Sequence, residues 1–483
     1  MRPFSIFNTL TRRVERFDPL KPPAVTLYSC GPTVYLPQHL GNMRAYLFVD
    51  TLKRALRFHG YQVHHVMNVT DVGHMTSDED AGEDKIEKTA RAQGKSPREI
   101  ADFYLDQFRR DLTALNIELP NVPAPGSFVR ATDHIPDMLA LIEQIIAHGY
   151  AYVAPSGVYF DVEKWRGAAR VGRLSRQSLD EQHAGQRLEH STDKHSPHDF
   201  ALWVLDQPGH LMQWDSPWGR GYPGWHIECS AMSMKYLGET IDIHTGGLDH
   251  IPIHHENEIA QSESATGQPF VRYFVHNAFL VGMEGAKISK SAGKFPLVSD
   301  LVKEAIDPLA FRLFCFGAKY RSELAFSLEA VRGAQKNLVY FWEFASDLPE
   351  EALAEPDAQW VAAYEEKFAA ELADDLNTPR ALAVALELVH EAYTRNDKSI
   401  WRTLLKFDDV LGLQLRERRE SMIVGRKTFA PEVQALIDQR QAARAAKDFK
   451  RSDELRDRLN ELGYSVKDQP GGVQLVGRRI GEQ

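Results

Sequence analysis

Residues 249–259 read DHIPIHHENEI, which sets three histidines and two glutamates within nine positions. Surface solvation asks for no such spacing, whereas metal ligation does. His254 and Glu258 stand four apart, so on a helix they share one face. That is half of a four-coordinate site, and the other half must come from elsewhere in the chain. HENEI begins like the H-E-x-x-H motif of zinc peptidases, but Ile259 takes the place of the second histidine. Spacing alone leaves open that His254 and His255 are ordinary interior or surface histidines.

Two other stretches carry residue types that handle phosphate. LPQHLGN, 36–42, follows a strand-like segment and opens a helical one. Phosphates favour helix N-termini beyond the carboxyl ends of parallel strands. There His39 and Asn42 offer donors, and Gly41 allows close backbone approach. KISKS, 287–291, sets Lys287 and Lys290 with two serines on a glycine-flanked loop. Such a cationic clamp can stabilise charge developing on a transferring phosphate. Each motif alone has a plain alternative, an ordinary turn for the first and a solvated basic loop for the second. GRGYPG, 219–224, matches G-x-G-x-x-G but follows no strand and contains Pro223, so it reads as a turn. GKS at 94–96 lacks the upstream glycine of a P-loop.

The elements that must position these residues follow from periodicity. AVTLYSC, 24–30, predicts a buried strand. Apolar residues at helical spacing predict a helix over 42–59, and YQVHHVMNV, 61–69, predicts a second strand. This is a βαβ unit, hence a parallel sheet with covered faces. A charged helical region follows, and LPNVPAPGS marks a boundary. The spacing predicts a helix over 133–149 and a hairpin in YAYVAPSGVYFDV. TIDIHTGG and RYFVHNAFLV return to strand character. From about 326 the pattern is helical, with Thr378 as cap and Pro379 at the first helical position of one helix. The tail predicts helices around 431–447 and 453–462, then a hairpin at DQPGGVQLV.

The chain has 483 residues, which suits several domains, and a net charge of −10. Residues 421–483 carry 12 Lys+Arg against 9 Asp+Glu, a small local excess. Three cysteines, Cys30, Cys229 and Cys315, argue against a disulfide scaffold and suit a reducing compartment. Cys315 sits in apolar FRLFCFGA and reads as core packing. No apolar run approaches the roughly 20 residues that span a bilayer. The N-terminus has no signal-peptide pattern, so a cytoplasmic protein with no membrane partner is expected.

HLGN after the first strand and KISKS after the last together resemble the paired signatures of class I aminoacyl-tRNA synthetases. YSCGPTVY, PGWHIECSAMS and HTGGLDHIPIHHENEIAQ are similar to motifs of the cysteinyl-tRNA synthetase family, as are NVTD, HDFALW and DDLNTP. The resemblance runs from about residue 4 to the C-terminus. It implies a Rossmann-like parallel α/β catalytic domain with an insertion, an all-α bundle and a small C-terminal α+β module. The expected divisions are 1–120 and 223–280 for the two catalytic halves and 121–222 for the insertion. A signature-loop and stem-contact region would follow at 281–325, the bundle at 326–420, and an anticodon-recognition module at 421–483.

The resemblance also implies chemistry. A zinc ion would be held by Cys30, Cys229, His254 and Glu258, all good zinc ligands by type. The metal would select the cysteine thiolate over the serine hydroxyl. His250, His255 and Glu256 would support these ligands. Thr33, Thr70 and Trp225 would line the amino-acid pocket. Asp249 would meet the substrate ammonium, with capping of the next helix as its alternative. His39, Gly41 and Asn42 would serve ATP phosphates, Gly246 and Gly247 the nucleoside, and Lys287 and Lys290 the pyrophosphate charge. The expected reaction joins L-cysteine to tRNA(Cys) by way of cysteinyl-adenylate, with ATP arriving as its magnesium complex and one chain acting as a monomer. Departures from the family pattern are Asn42 for histidine, Leu36 for aspartate, Ile288 for methionine and Tyr222 for arginine. Two rivals remain: a ligase that joins activated cysteine to an amino sugar, which would lack the tail, and a non-catalytic RNA-binding paralog, which would lose signature residues.

Overall fold

The computed structural model describes residues 3–72, 84–167, 172–177, 193–205, 209–282, 296–350, 353, 356–427, 431–446, 448–462, 465–469 and 472–476. The KISKS segment, with Lys287, Ile288 and Lys290, lies outside the described residues.

An antiparallel ribbon of β1 (Ser5–Asn8) and β2 (Arg13–Arg16) leads into β3 (Ala24–Ser29). Helix α1 (Leu40–Phe58) then crosses to β4 (Gln62–Val69), which pairs in parallel with β3 from Ala24↔Gln62 to Ser29↔Met67. The predicted βαβ unit is therefore present. It forms because Leu40, Met43, Leu47, Leu52 and Leu56 give α1 an apolar side that buries against the sheet. Helices α2 (Lys85–Gln93) and α3 (Pro97–Ala114) follow, and Ser96 starts α3 with a capping box to Glu99. Ser96 of GKS thus caps a helix.

The parallel sheet gains a short strand, β5 (Val129–Arg130), from within the segment expected to be inserted. Asp71 of NVTD holds this junction, accepting hydrogen bonds from the Thr132 amide at 2.9 Å and its hydroxyl at 2.8 Å. Helix α4 (Ile135–Ala147) then packs on the helices of the catalytic body. Only from β6 (Ala151–Ala154) does the chain leave the parallel sheet. With β7 (Gly157–Phe160), β8 (Phe200–Leu205) and β9 (Gly221–Pro223) it builds a four-stranded antiparallel sheet in sequential order. GRGYPG is therefore not the turn its sequence suggests. Gly221–Pro223 is an edge strand, a position where proline leaves no ladder donor missing.

The chain returns through the helix Trp225–Leu237, β10 (Ile241–Gly247), the helix His254–Thr266 and β11 (Val271–Asn277). The five-stranded sheet has the order β11-β10-β3-β4-β5, parallel throughout. The order reverses between β10 and β3, and open parallel sheets bind ligands beyond the strand ends at such a reversal.

The remainder is mostly helical, through Leu328–Ser346, Ala362–Ala373, Thr378–Arg395, Trp401–Leu411 and Leu415–Lys427. Asn377 rather than Thr378 precedes the third of these. Thr378 is its first residue, and its hydroxyl donates to the Ala318 carbonyl at 3.4 Å. Arg312, on the helix Pro308–Cys315, ties this region to α1 through Asp50 at 2.7 Å and the Leu411 carbonyl at 2.5 Å. The tail pairs helix Pro431–Ala445 with Phe449–Glu461 over Val433, Leu436, Ile437, Leu455 and Leu459. Ser465–Gln469 and Gly472–Val476 form the predicted hairpin.

Candidate active site and metal centre

The reversal point opens into a cavity of about 650 Å³. Its walls come from the ends of four neighbouring strands. Cys30 and Thr33 follow β3, Thr70 follows β4, Gly246 and Gly247 close β10, and Asn277 closes β11. His39, Gly41 and Asn42 line it from the start of α1, and Trp225, Cys229, Asp249 and His254 line it from the two returning helices and the turn between them. Every described residue of the expected site lies here except Glu258, which sits fully buried behind His254. Lys287 and Lys290 fall outside the described residues.

Cys30, Cys229, His254 and Glu258 bring one sulfur, nitrogen or oxygen each to within 4.8 Å of one another. His254 and Glu258 share a helix face as their spacing requires, with Nε2 to Oε1 at 2.9 Å. The orientation of both is fixed from behind. His226 Nδ1 lies 2.8 Å from His254 Nδ1, which leaves Nε2 toward the cluster. His244 Nε2 lies 2.8 Å from Glu258 Oε2, which leaves Oε1 facing His254 and the cluster. A donor set of two thiols, an imidazole and a carboxylate, drawn together within 4.8 Å and braced from behind by His226 and His244, fits a tetrahedral zinc ion.

The four groups share protons among themselves: Glu258 and Cys30 shift down, while His254 and Cys229 shift up, Cys229 chiefly through its hydrogen bond to Cys30. Burial alone would raise the Glu258 carboxyl, but His244 and His254 outweigh it and hold it at about 2. Burial alone would depress His254, and Glu258 with Cys30 lifts it instead to about 10. The hydrogen bond from Cys229, against the effect of burial, takes the Cys30 thiol well below its ordinary range. The pocket is thus poised for positive charge, and a dication would replace these protons.

A second set, Cys30, His244, His255 and Glu258, is equally close together. It shares Cys30 and Glu258 with the first, and His255 Nε2 lies 3.6 Å from Cys30 Sγ. His255 Nδ1 lies 2.8 Å from His276 Nε2, whose ring contacts Thr9 Oγ1 at 2.8 Å, and His244 holds Glu258. Neither His244 nor His255 lines the cavity, whereas three of the four residues in the first set do. The first set is therefore the one a substrate can reach.

The other expected residues divide by role. His39 caps α1, its Nδ1 accepting from the Asn42 amide at 3.2 Å, so the remaining ring proton belongs on Nε2. Gly246 is hemmed in by histidine rings, and Gly247 by the Asp249 carboxylate. A Cβ on Gly246 would fall 2.5 Å from His250 Nδ1, and one on Gly247 would fall 2.3 Å from Asp249 Oδ1. The Thr70 hydroxyl donates to Glu228 Oε2 at 3.0 Å and accepts from Asn68 Nδ2 at 3.2 Å. Trp225 stacks on His254 with ring centroids 4.6 Å apart. Asp249 does not cap the next helix, which starts at His254 with no side-chain cap. Glu256 accepts from the amides of Leu174 at 2.7 Å and Ser175 at 2.8 Å, a structural anchor. Leu36 lies on the cavity lip. Tyr222 is buried in the antiparallel sheet, stacked on His210 and outside the cavity lining.

The sequence reading missed Tyr28, His226, His244, Glu228 and Lys85. His226 and Glu228 stand just before Cys229 in WHIEC, and the quoted motif was their available signal. Tyr28 and His244 look like ordinary strand residues. Tyr28 is fully buried, and its hydroxyl has no hydrogen-bond partner. Burial first, then the charges of Cys229 and Cys30, pushes its phenol well up. Cys315 is removed from this chemistry, its thiol pushed up to about 12 by burial.

Comparison with known proteins agrees with this geometry. Residues 16–336 match the family described as tRNA synthetases class I (C) catalytic domain, 367–416 the DALR domain, and 426–475 the cysteinyl-tRNA ligase anticodon binding domain. The chain is 42% identical to a cysteine–tRNA ligase of Treponema denticola over 96% of this chain and 98% of that protein. It is 42% identical to one of Chlorobaculum tepidum over 98% of this chain and 99% of that protein. In fold it resembles Mycobacterium tuberculosis methionyl-tRNA synthetase bound by methionyl-adenylate, with 16% identity, a TM-score of 0.57 and coverage of 85% of this chain and 95% of that one.

Proposed function

The chain belongs to the cysteine–tRNA ligase family of class I aminoacyl-tRNA synthetases, and on that premise we propose how its cavity activates L-cysteine with ATP and passes it to the 3′ end of tRNA(Cys). The observation that carries the reading is that the metal-ligand cluster and the capped start of α1 open into one cavity. Cys30, Cys229, His254 and Glu258 would hold a zinc ion. Zinc supplies a thiophilic Lewis acid that favours the cysteine thiolate over the serine hydroxyl.

The protein's own residues do the positioning. Asp249 meets the substrate ammonium, and Trp225, Thr33 and Thr70 wall the small side chain. His39 and Asn42 donate to ATP phosphate oxygens at the positive end of α1. The bare backbone of Gly246 and Gly247 lies against the nucleoside. A substrate carboxylate oxygen attacks the α-phosphorus, and pyrophosphate leaves with magnesium, its charge met by Lys287 and Lys290. The terminal ribose hydroxyl of tRNA then attacks the acyl carbon, and AMP leaves. Catalysis is positioning and electrostatics rather than covalent participation by the protein. The division into catalytic halves, insertion, bundle and anticodon module belongs to this reading, as does a cytoplasmic monomer. Among the described residues no helix is long and apolar enough to cross a membrane.

The test is cysteine-dependent exchange of pyrophosphate into ATP, run beside charging of tRNA(Cys). Both activities are expected. Exchange with no charging, and transfer to an amino sugar instead, would overturn the reading in favour of the sugar ligase. Absence of both would favour a silent paralog.

A further inference from the structure

Tyr28 stands on β3 two residues before Cys30, with its ring edge-on to His244 at 5.2 Å and 86°. Its side chain is fully buried, and its hydroxyl lacks a partner of ordinary hydrogen-bond geometry. A buried hydroxyl left unpaired is destabilising, and phenylalanine would fill the same space without that cost. Tyr28 and Cys229 belong to one buried cluster against which Cys30 packs, and Cys229, Cys30 and Glu258, three of the four ligand residues, act on the phenol, Cys229 also as a hydrogen-bonding partner. We propose that Tyr28 is a positioning residue, donating a hydrogen bond to the metal-bound Cys229 thiolate so that the site accepts the substrate's thiolate as a further ligand.

The argument is one of charge. Two thiolates and a carboxylate already outweigh a dication, and the substrate adds another negative sulfur to a buried site. Burying surplus charge is costly unless donors absorb it. His244 does this for Glu258 at 2.8 Å. A phenol, neutral and a donor at physiological pH, does it for Cys229. Outer donors of this kind commonly change metal-site properties by about 10- to 100-fold.

The inference rests on the metal reading above, and the experiment separates the two. The full chain is loaded with cobalt(II) as parent, as Tyr28→Phe, and with 3-fluorotyrosine, a stronger donor of nearly the same shape, at position 28. Loss of the donor makes the thiolate more electron-rich, so the sulfur-to-cobalt absorption band should move to lower energy in Tyr28→Phe. It should move to higher energy with fluorotyrosine. Cysteine affinity of the Tyr28→Phe zinc protein should fall about tenfold with ATP affinity unchanged. Bands that coincide in all three proteins overturn the proposal. So does a moved band with unaltered cysteine affinity, or an equal loss of cysteine and ATP affinity. A chain that binds neither cobalt nor zinc overturns the metal reading instead.

Discussion

Arg312 and Asp50 meet at 2.7 Å with neither side chain exposed to solvent, joining the helix Pro308–Cys315 to the middle of α1. Asp50 also accepts from Arg54 Nε at 2.8 Å and the Glu118 amide at 2.9 Å. Burial would raise its carboxyl, but Arg312, Arg54 and Lys53 outweigh it and hold it at about 2. A carboxyl depressed on folding contributes stability above its unfolded value, near 4, and loses it as pH falls toward the folded value. Removing one partner strands a buried charge. Arg312→Met should therefore cost roughly 3–5 kcal/mol at pH 7. The deficit should narrow between about pH 4 and pH 2, where the parent loses the same contribution. Urea unfolding of both proteins across that range is the measurement, and a deficit independent of pH would sink the account.

Gly246 sits where a Cβ would press on His250 Nδ1 at 2.5 Å and His255 Cε1 at 2.7 Å. Gly246→Ala should shift the histidines behind the metal cluster as well as the nucleoside surface. Both ATP and cysteine affinity should fall, each by roughly tenfold. Calorimetric titration with each ligand tests this, and a loss confined to ATP would show that the histidines had absorbed the change.

Cys229→Ala removes one of the two thiols from the ligand cluster. Zinc content should drop, and cysteine binding should fall far more than ATP binding. Chelation of the parent should do the same. Discrimination against serine, expected at about 10⁴ or better in the zinc protein, should collapse with it. Metal analysis together with exchange rates for cysteine and serine decides the matter. Undiminished preference for cysteine in metal-free protein would refute the role assigned to the cluster.

Lys290→Ala should lower turnover in pyrophosphate exchange by about 100-fold or more, with little change in cysteine binding. A cation aimed at a leaving group acts in the transition state rather than on the bound ground state. Near-normal exchange in this variant would remove Lys290 from the mechanism.

The tail has its own small core between Pro431–Ala445 and Phe449–Glu461. Truncation after Lys427 should leave exchange intact and cripple charging. Added salt should weaken tRNA binding by the intact chain, since phosphate contacts release counterions. A truncated chain that charges tRNA as well as the parent would make the tail a structural appendage.

Local signals carried the sequence far. The βαβ unit around HLGN is legible because its hydrophobic period changes from 2 to 3.6 and back within one stretch. His254 and Glu258 are legible as a pair because four residues make one helical turn. What joins them to Cys30 and Cys229 is not local, and only the long motifs predicted it. The fifth parallel strand, Val129–Arg130, is too short to show a period and forms because Asp71 pins Thr132. Gly221–Pro223 escaped because the proline and three glycines of GRGYPG read as a turn, although an edge strand tolerates Gly221 and Pro223. Tyr28 and His244 escaped because a buried strand hides polar atoms among apolar neighbours, and nothing in a sequence tells which face meets a ligand cluster.

The strand order β11-β10-β3-β4-β5 has a consequence in time. Synthesis delivers β3 early and its neighbour β10 only after the whole antiparallel insertion has been made. At about 5–20 residues per second, Cys30 waits roughly ten to fifty seconds before Glu258 has been translated. For most of that interval one edge of β3 is an open template for mispairing, and the Cys30 thiol lacks its full set of companions until the end. The cluster of Cys30, Cys229, His254 and Glu258 can therefore form only late on the ribosome, after the segments on both sides of β10 have been made.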